Sequence, residues 1–263
     1  MLDVRRMRVL REVAARGSFS AAAQALSFTQ SAISQHVAAL AGLRGGRLRL
    51  ISFQSGGATL APRAVASFHE RHPSVELSML EAEPEEAGVR LRAGDADLAL
   101  VYDHASLTDL LPADLELVHL LDDRYEAILP AGHRFARRRR LSLSDLAKDP
   151  WIASTGACGC RQITESVCRE AGFQPRVAFE ADETTAAQAL VAAGVGVTLL
   201  PRLALTALHP GVVARTLTDA PVRRVWAARL IGSYASPASD AMLQTMQDVA
   251  DEFRETKLEL AAS

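Results

Sequence analysis

Residues 29 to 37 read TQSAISQHV. Wound as a helix, they put Gln30, Ser31, Ser34 and Gln35 on one face, with Ile33 and Val37 on the other. Short amide and hydroxyl side chains near a helix N-terminus can meet base edges and phosphates in a DNA major groove. The polar set therefore points to sequence reading. Thr29 stands where it can cap that helix, and Ser20 where it can cap the one before it. Any amphipathic helical hairpin would show the same periodicity.

Motifs for other chemistry fail on context. His69, Glu70 and His72 give H-E-x-H, one residue short of the zinc-protease spacing, and Pro73 ends the helix at once. Gly194 and Gly196 follow a helix, whereas a dinucleotide fingerprint needs glycines between a strand and a helix. There is no G-x-S-x-G elbow and no G-x-x-x-x-G-K loop. Cys158, Cys160 and Cys168 are an odd number without a nearby histidine, a poor zinc set and a composition suited to a reducing compartment. A thiol near a helix N-terminus oxidises more readily, so Cys158 or Cys160 could act as a sensor; small semi-buried side chains are the plainer reading. No enzyme and no cofactor is expected.

The elements that must hold these side chains follow from pattern. Before residue 29, Ala22, Ala23 and Leu26 share a helix face, and Ser27 with Phe28 breaks it; Ile33, Val37 and Leu40 turn inward on the next helix. The three alanines Ala21 to Ala23 let two helices cross closely. From residue 46 strands and helices alternate, which predicts βαβ units and a parallel sheet: 46–53, helix 57–72, 75–83, helix 84–93, 97–103, then a long strand 117–130. A second group follows with strand 149–155, helix 160–171, strand 176–182, helix 184–194 and strand 196–201. Strand 222–230 returns the chain, and a closing helix 239–256 turns Met242, Leu243, Met246, Val249, Ala250 and Phe253 inward. The run Arg137 to Arg140 reads as a solvated loop.

Within 263 residues of net charge −2, residues 1–49 carry Arg5, Arg6, Arg8, Arg11, Arg16, Arg44, Arg47 and Arg49 against Asp3 and Glu12. That basic segment sits with the two helices, where phosphate contact would use it. No apolar run is long enough to span a membrane or serve as a secretion signal, so a cytoplasmic protein is expected.

Residues 2–40, LDVRRMRVLREVAARGSFSAAAQALSFTQSAISQHVAAL, resemble the N-terminal module of LysR-type transcriptional regulators. The likeness lies in the Gly17-Ser18-Phe19 step, the alanine-rich second helix and a recognition helix opening Thr29-Gln30. Ser31 stands where the family commonly has proline. From about Gly45 onward the chain resembles the family's effector domain, which implies a type 2 periplasmic-binding-protein fold of two α/β subdomains. The expected division is a helix-turn-helix over 1–41 and an effector-binding domain over 44–263, with subdomain I at 44–126 and 225–263 and subdomain II at 127–224. The family's wing and dimerising linker helix have no room here, because only six residues, 41–46, lead from Leu40 into the first strand.

Ligands of such sheets sit beyond the carboxyl ends of strands. That rule selects Ser52, Gln54, Ser55, Tyr102, Asp103, Thr155 and Gly156, and helix starts near 55–57 and 156–161 suggest a carboxylated effector. Similar positions line the pocket in the family. The resemblance implies a regulator that binds operator DNA and a small organic effector, and forms homo-oligomers. Its lobes would turn about Arg124–Ala127 and Val222–Val225. The competing expectation is a ligand-binding module with a vestigial head.

Overall fold

The structure, a computed structural model, describes residues 4–30, 32, 33, 37, 46–105, 111–156, 159–232 and 235–262. The expected roles of Ser31, Ser34, Gln35 and Cys158 fall outside those residues.

The head begins with α1 (Val4–Arg16) and α2 (Phe19–Leu26), and Gln30, Ala32, Ile33 and Val37 are helical beyond them. Val9, Ala22, Ala23 and Ile33 form a small buried core, with Val13, Leu26 and Val37 against it. Alanine at 22 and 23 lets the helices close to contact distance with little side-chain entropy lost.

The body is built on one long sheet of order β2-β1-β3-β10-β4-β9-β5, with β8 also paired to β4. Its strands are β1 (Gly46–Ser52), β2 (Val75–Glu81), β3 (Leu98–Asp103), β4 (Leu115–Pro130), β5 (Arg140–Leu141), β8 (Thr198–Pro201), β9 (Val212–Leu217) and β10 (Val222–Leu230). The strand β4 is shared. Its first ten residues pair antiparallel with β10, and its last six pair with β8 and β9. Two lobes therefore hang on one 16-residue strand and on its return partner. The second lobe adds the parallel pair β6 (Pro150–Ala153) and β7 (Arg176–Glu180).

Alternation along the strands sorts the core. In β3, Leu98, Leu100 and Tyr102 enter one buried cluster, and Ala99 and Val101 enter another on the opposite face. Helix α3 (Leu60–Arg71) offers Leu60, Ala61, Ala64 and Phe68 to the first cluster. The closing helix, α7 here (Pro237–Ala262), adds Met242, Met246, Val249 and Ala250. Between them lie α4 (Pro84–Ala93), α5 (Gly159–Glu170) and α6 (Thr184–Ala192). Ile128, Ile152, Ala187, Val191 and Val212 make the outer core of the second lobe.

Several expectations are corrected. The sheet is mixed, because β10 runs against both β3 and β4. The helix expected over 57–72 is a separate turn at Gln54–Gly57 followed by α3. The strand β9 was not read from sequence, and Arg140, expected in a loop, pairs in β5. No helix among the described residues is long and apolar enough to cross a membrane.

Candidate functional site

In the head, the cap of α2 is Ser18, not Ser20. Ser18 is extended and its hydroxyl accepts the Ala21 N–H at 3.1 Å. Ser20 is the second residue of the helix itself, too late to reach the free amides of the first turn. The helix stops at Ser27, whose φ of 55° is left-handed, and its N–H meets the carbonyls of Ala23 and Gln24. Thr29 accepts the Ala32 N–H at 3.1 Å and so caps the helical residues that follow α2, leaving Gln30 exposed at their start.

In the body, a cavity of about 380 Å³ opens between the lobes, over the strands that join them. Of the expected residues, Gln54, Ser55, Tyr102 and Thr155 line it. Ser52, Asp103 and Gly156 do not. The Ser52 hydroxyl is turned under the chain and donates to the Phe53 carbonyl. Asp103 is held outside by Arg224 at 2.7 and 2.9 Å, and Gly156 is exposed.

The floor of the cavity is Arg223, which sequence reading missed. It stands opposite Asp123 in register on β10 and β4, and their side chains are 2% and 0% exposed. Arg223 donates through Nε and Nη2 to Asp123, at 3.1 and 2.9 Å, and through Nη2 to the Ser55 hydroxyl at 2.6 Å. Its guanidinium lies 4.8 Å from the Phe53 ring centre and 4.7 Å from that of Tyr102. Nη1 makes no hydrogen bond with any described residue. Asp123 also accepts the Leu203 N–H.

Carboxylates surround this cation. Glu81, Glu83, Asp182 and Glu183 line the cavity. The Tyr102 hydroxyl donates to Glu83 at 2.8 Å and lies 3.3 Å from the Cys160 sulfur. Burial holds the Glu83 carboxyl above its ordinary value, with the Tyr102 bond working the other way. Asp182 accepts from the Thr155 amide and hydroxyl. Across the mouth, Gln54 donates to Glu183 at 2.7 Å and accepts from Thr184 at 3.1 Å, fastening the first lobe to the second. Cys168 is buried in the core, where its thiol is pushed up to about 12. Such a thiol is a poor sensor.

Comparison with known proteins agrees in both parts. Residues 41–251 match the LysR substrate binding domain, and residues 4–60 match the bacterial regulatory helix-turn-helix protein, lysR family. The probable HTH-type transcriptional regulator LrrA of Synechococcus elongatus is 26% identical over 304 aligned positions, covering 97% of this chain and 100% of LrrA. Since this chain has 263 residues, at least 41 of those 304 positions have no counterpart in it. The chain spans only 52% to 63% of the length of the next four curated relatives.

Among solved structures, the C-terminal domain of a probable LysR family regulator from Rhodococcus sp. RHA1 superposes with a TM-score of 0.68 at 26% identity, over 77% of this chain and 98% of that one. The regulatory domain of CcmR from Synechocystis PCC6803, in complex with 2-PG, shares the fold, with a TM-score of 0.69 at 22% identity over 78% of this chain and 97% of that one. Matched through both its head and most of its body, the chain belongs to the LysR family of bacterial transcriptional regulators.

Proposed function

We propose that the chain is a cytoplasmic, oligomeric regulator whose head, residues 1–41, reads operator DNA and whose body, residues 44–263, binds a small organic effector. The carrying observation is the cavity, whose walls come from both lobes and whose mouth is bridged by Gln54, Glu183 and Thr184. A ligand there competes for those bonds and shifts the balance between lobe arrangements by its different affinity for each. The lobes turn about β4 and β10 near Arg124–Ala127 and Val222–Val225.

Charge narrows the effector. Arg223, bonded through Nη2 to Ser55, is the cation of the lining and suits a carboxylate. Glu81, Glu83, Asp182 and Glu183 favour a cationic nitrogen in the same space. A small metabolite with both a carboxylate and an ammonium group satisfies both walls, whereas a plain diacid meets only one. Thermal shift with amino acids, diacids and diamines tests this. Amino acids should raise the melting temperature, and Ser55→Ala or Thr155→Val should diminish the rise. A rise with diacids alone overturns the charge reading, and no rise across all three classes overturns the cavity as an effector site.

On DNA, the helical spacing of the sequence assigns base contact to Gln30, Ser31, Ser34 and Gln35; of the described residues, Gln30 and Ser20 are exposed and Thr29 caps the helix start. Gln30→Ala or Gln35→Ala should weaken specific binding by roughly 1 to 3 kcal/mol more than non-specific binding. Equal loss on random DNA counts against it. A second reading, a ligand-binding module with a weak head, draws on the short connection from Val37 to Gly46. A linker that sets two heads about 34 Å apart has no length to occupy there. Nanomolar protection of two half-sites by the unmodified chain would eliminate it.

A further inference from the structure

The cavity between the lobes carries negative charge that its own cation does not cancel. Glu81, Glu83, Asp182 and Glu183 line it, and Arg223 is the one cation of the described wall. Asp123 already matches Arg223, at 2.9 Å. None of the four lining acids is in an ion pair with a described residue, and Glu81 has no hydrogen bond to one. The donors that the other three meet are neutral: the Tyr102 hydroxyl for Glu83, the Thr155 amide and hydroxyl for Asp182, and the Gln54 amide for Glu183. Arg161, which donates to the carbonyl of the wall residue Ser154, is itself held between Glu165 and Glu180. Glu83 and Glu183 cap α4 and α6, whose dipoles offset about half a charge each, so about three of the four charges stay uncancelled. Glu81, at the end of β2, and Glu83 belong to the first lobe; Asp182 and Glu183, just after β7, belong to the second.

We propose that the effector has two cationic nitrogens besides its carboxylate, as a dibasic amino acid does, and that the second cation sits between acids of opposite lobes. This rests on the cavity being the effector site, and it narrows the effector class. A zwitterion with a single ammonium brings no net charge, so the excess persists when the lobes close on it. A cleft with one sign of charge between low-dielectric walls concentrates the field, and carboxylates on opposite lobes repel each other as they approach. One ammonium has three donors, whereas the acceptors are four carboxylates spread over both sides. A second ammonium or a guanidinium lowers the repulsion and gives both lobes a shared partner. Such a ligand binds the closed arrangement better than the open one, which is what shifts the population. The net positive charge of a dibasic amino acid goes to the excess while its carboxylate faces Arg223.

The test is calorimetric titration of the full chain with L-lysine, L-arginine and L-norleucine, the last having the carbon chain of lysine without its terminal ammonium. The better of the two basic amino acids should bind roughly 2 to 30 times more tightly than L-norleucine, the range expected of one cation between two partly solvated carboxylates. Glu81→Gln and Glu183→Gln, both at exposed positions, should each reduce that ratio and leave the norleucine affinity unchanged. A ratio near one, or a ratio that neither variant moves, overturns the second cation. Putrescine, with two ammonium groups and no carboxylate, is the remaining probe, and binding as tight as that of the basic amino acids overturns the class in favour of a diamine. Failure of both L-lysine and L-arginine to bind also overturns the proposal. Norleucine binding that Ser55→Ala weakens then keeps the amino-acid reading of the cavity, and silence from every probe removes that reading as well.

Discussion

Replacing Asp123 with asparagine takes the counter-charge from a guanidinium that is only 2% exposed. The substitution keeps an oxygen for the Leu203 N–H, so the loss reports mainly the charge. Removing one member of a buried ion pair costs about 3 to 5 kcal/mol, because the survivor stays desolvated. The ring faces of Phe53 and Tyr102, at 4.8 and 4.7 Å, remain to support the cation at about 0.5 to 2 kcal/mol each. That support places the expected cost toward the lower end, near 3 kcal/mol. Arg223→Met should cost a similar amount, since it strands Asp123 instead. The double variant removes both charges, and its cost should fall short of the summed singles by roughly 2 to 3 kcal/mol. Urea unfolding of the four proteins, compared at equal m, measures the cycle. If Asp123→Asn costs less than about 1 kcal/mol, or the two changes add to within about 0.5 kcal/mol, the buried pair is not what holds β4 and β10 in register here.

Ser18→Ala should destabilise the head by about 0.5 to 2 kcal/mol and Ser20→Ala by much less; amide exchange at Ala21 reads the difference, and equal effects would return the cap to Ser20. Glu83 has a raised pKa from burial, so the native state binds its proton more tightly than the unfolded chain does. The stability it contributes is greatest in acid and declines as pH climbs from the ordinary value of 4.5 through the raised one. Glu83→Gln should flatten that decline in melting temperature, and parallel curves for the two proteins would refute the assignment. Gly196→Ala would set a Cβ 2.8 Å from the Pro150 carbonyl oxygen, which already accepts the Val197 N–H at 2.9 Å. A cost of about 1 to 3 kcal/mol follows, whereas Gly132→Ala, with open space around it, should change the melting temperature little.

Local pattern was enough for most elements and for the head. The spacing of Ala22, Ala23, Ile33 and Val37 is a property of neighbouring residues, and it reappears as the small core of the head. The inward face of α7, from Met242 to Ala250, was legible for the same reason. Gln54, Ser55, Tyr102 and Thr155 were reachable because a topological rule places ligands at strand ends, and all four line the cavity. The rule names a place in the chain without saying which side chains turn into it. That is why the rule also selects Ser52, Asp103 and Gly156, whose bonds or exposure keep them out of the cavity.

Only the tertiary structure could decide the floor of the cavity. Arg223 and Arg224 are adjacent, and strand alternation sends one inward and one outward without saying which. The register of β10 on β4 settles it by bringing Asp123, one hundred positions earlier, opposite Arg223. Arg224 is left outside to pair with Asp103. The sign of the lining was hidden for a similar reason: Glu81, Glu83, Asp182 and Glu183 come from two lobes. A charge count along the chain has no knowledge of which acids will share 380 Å³ of space.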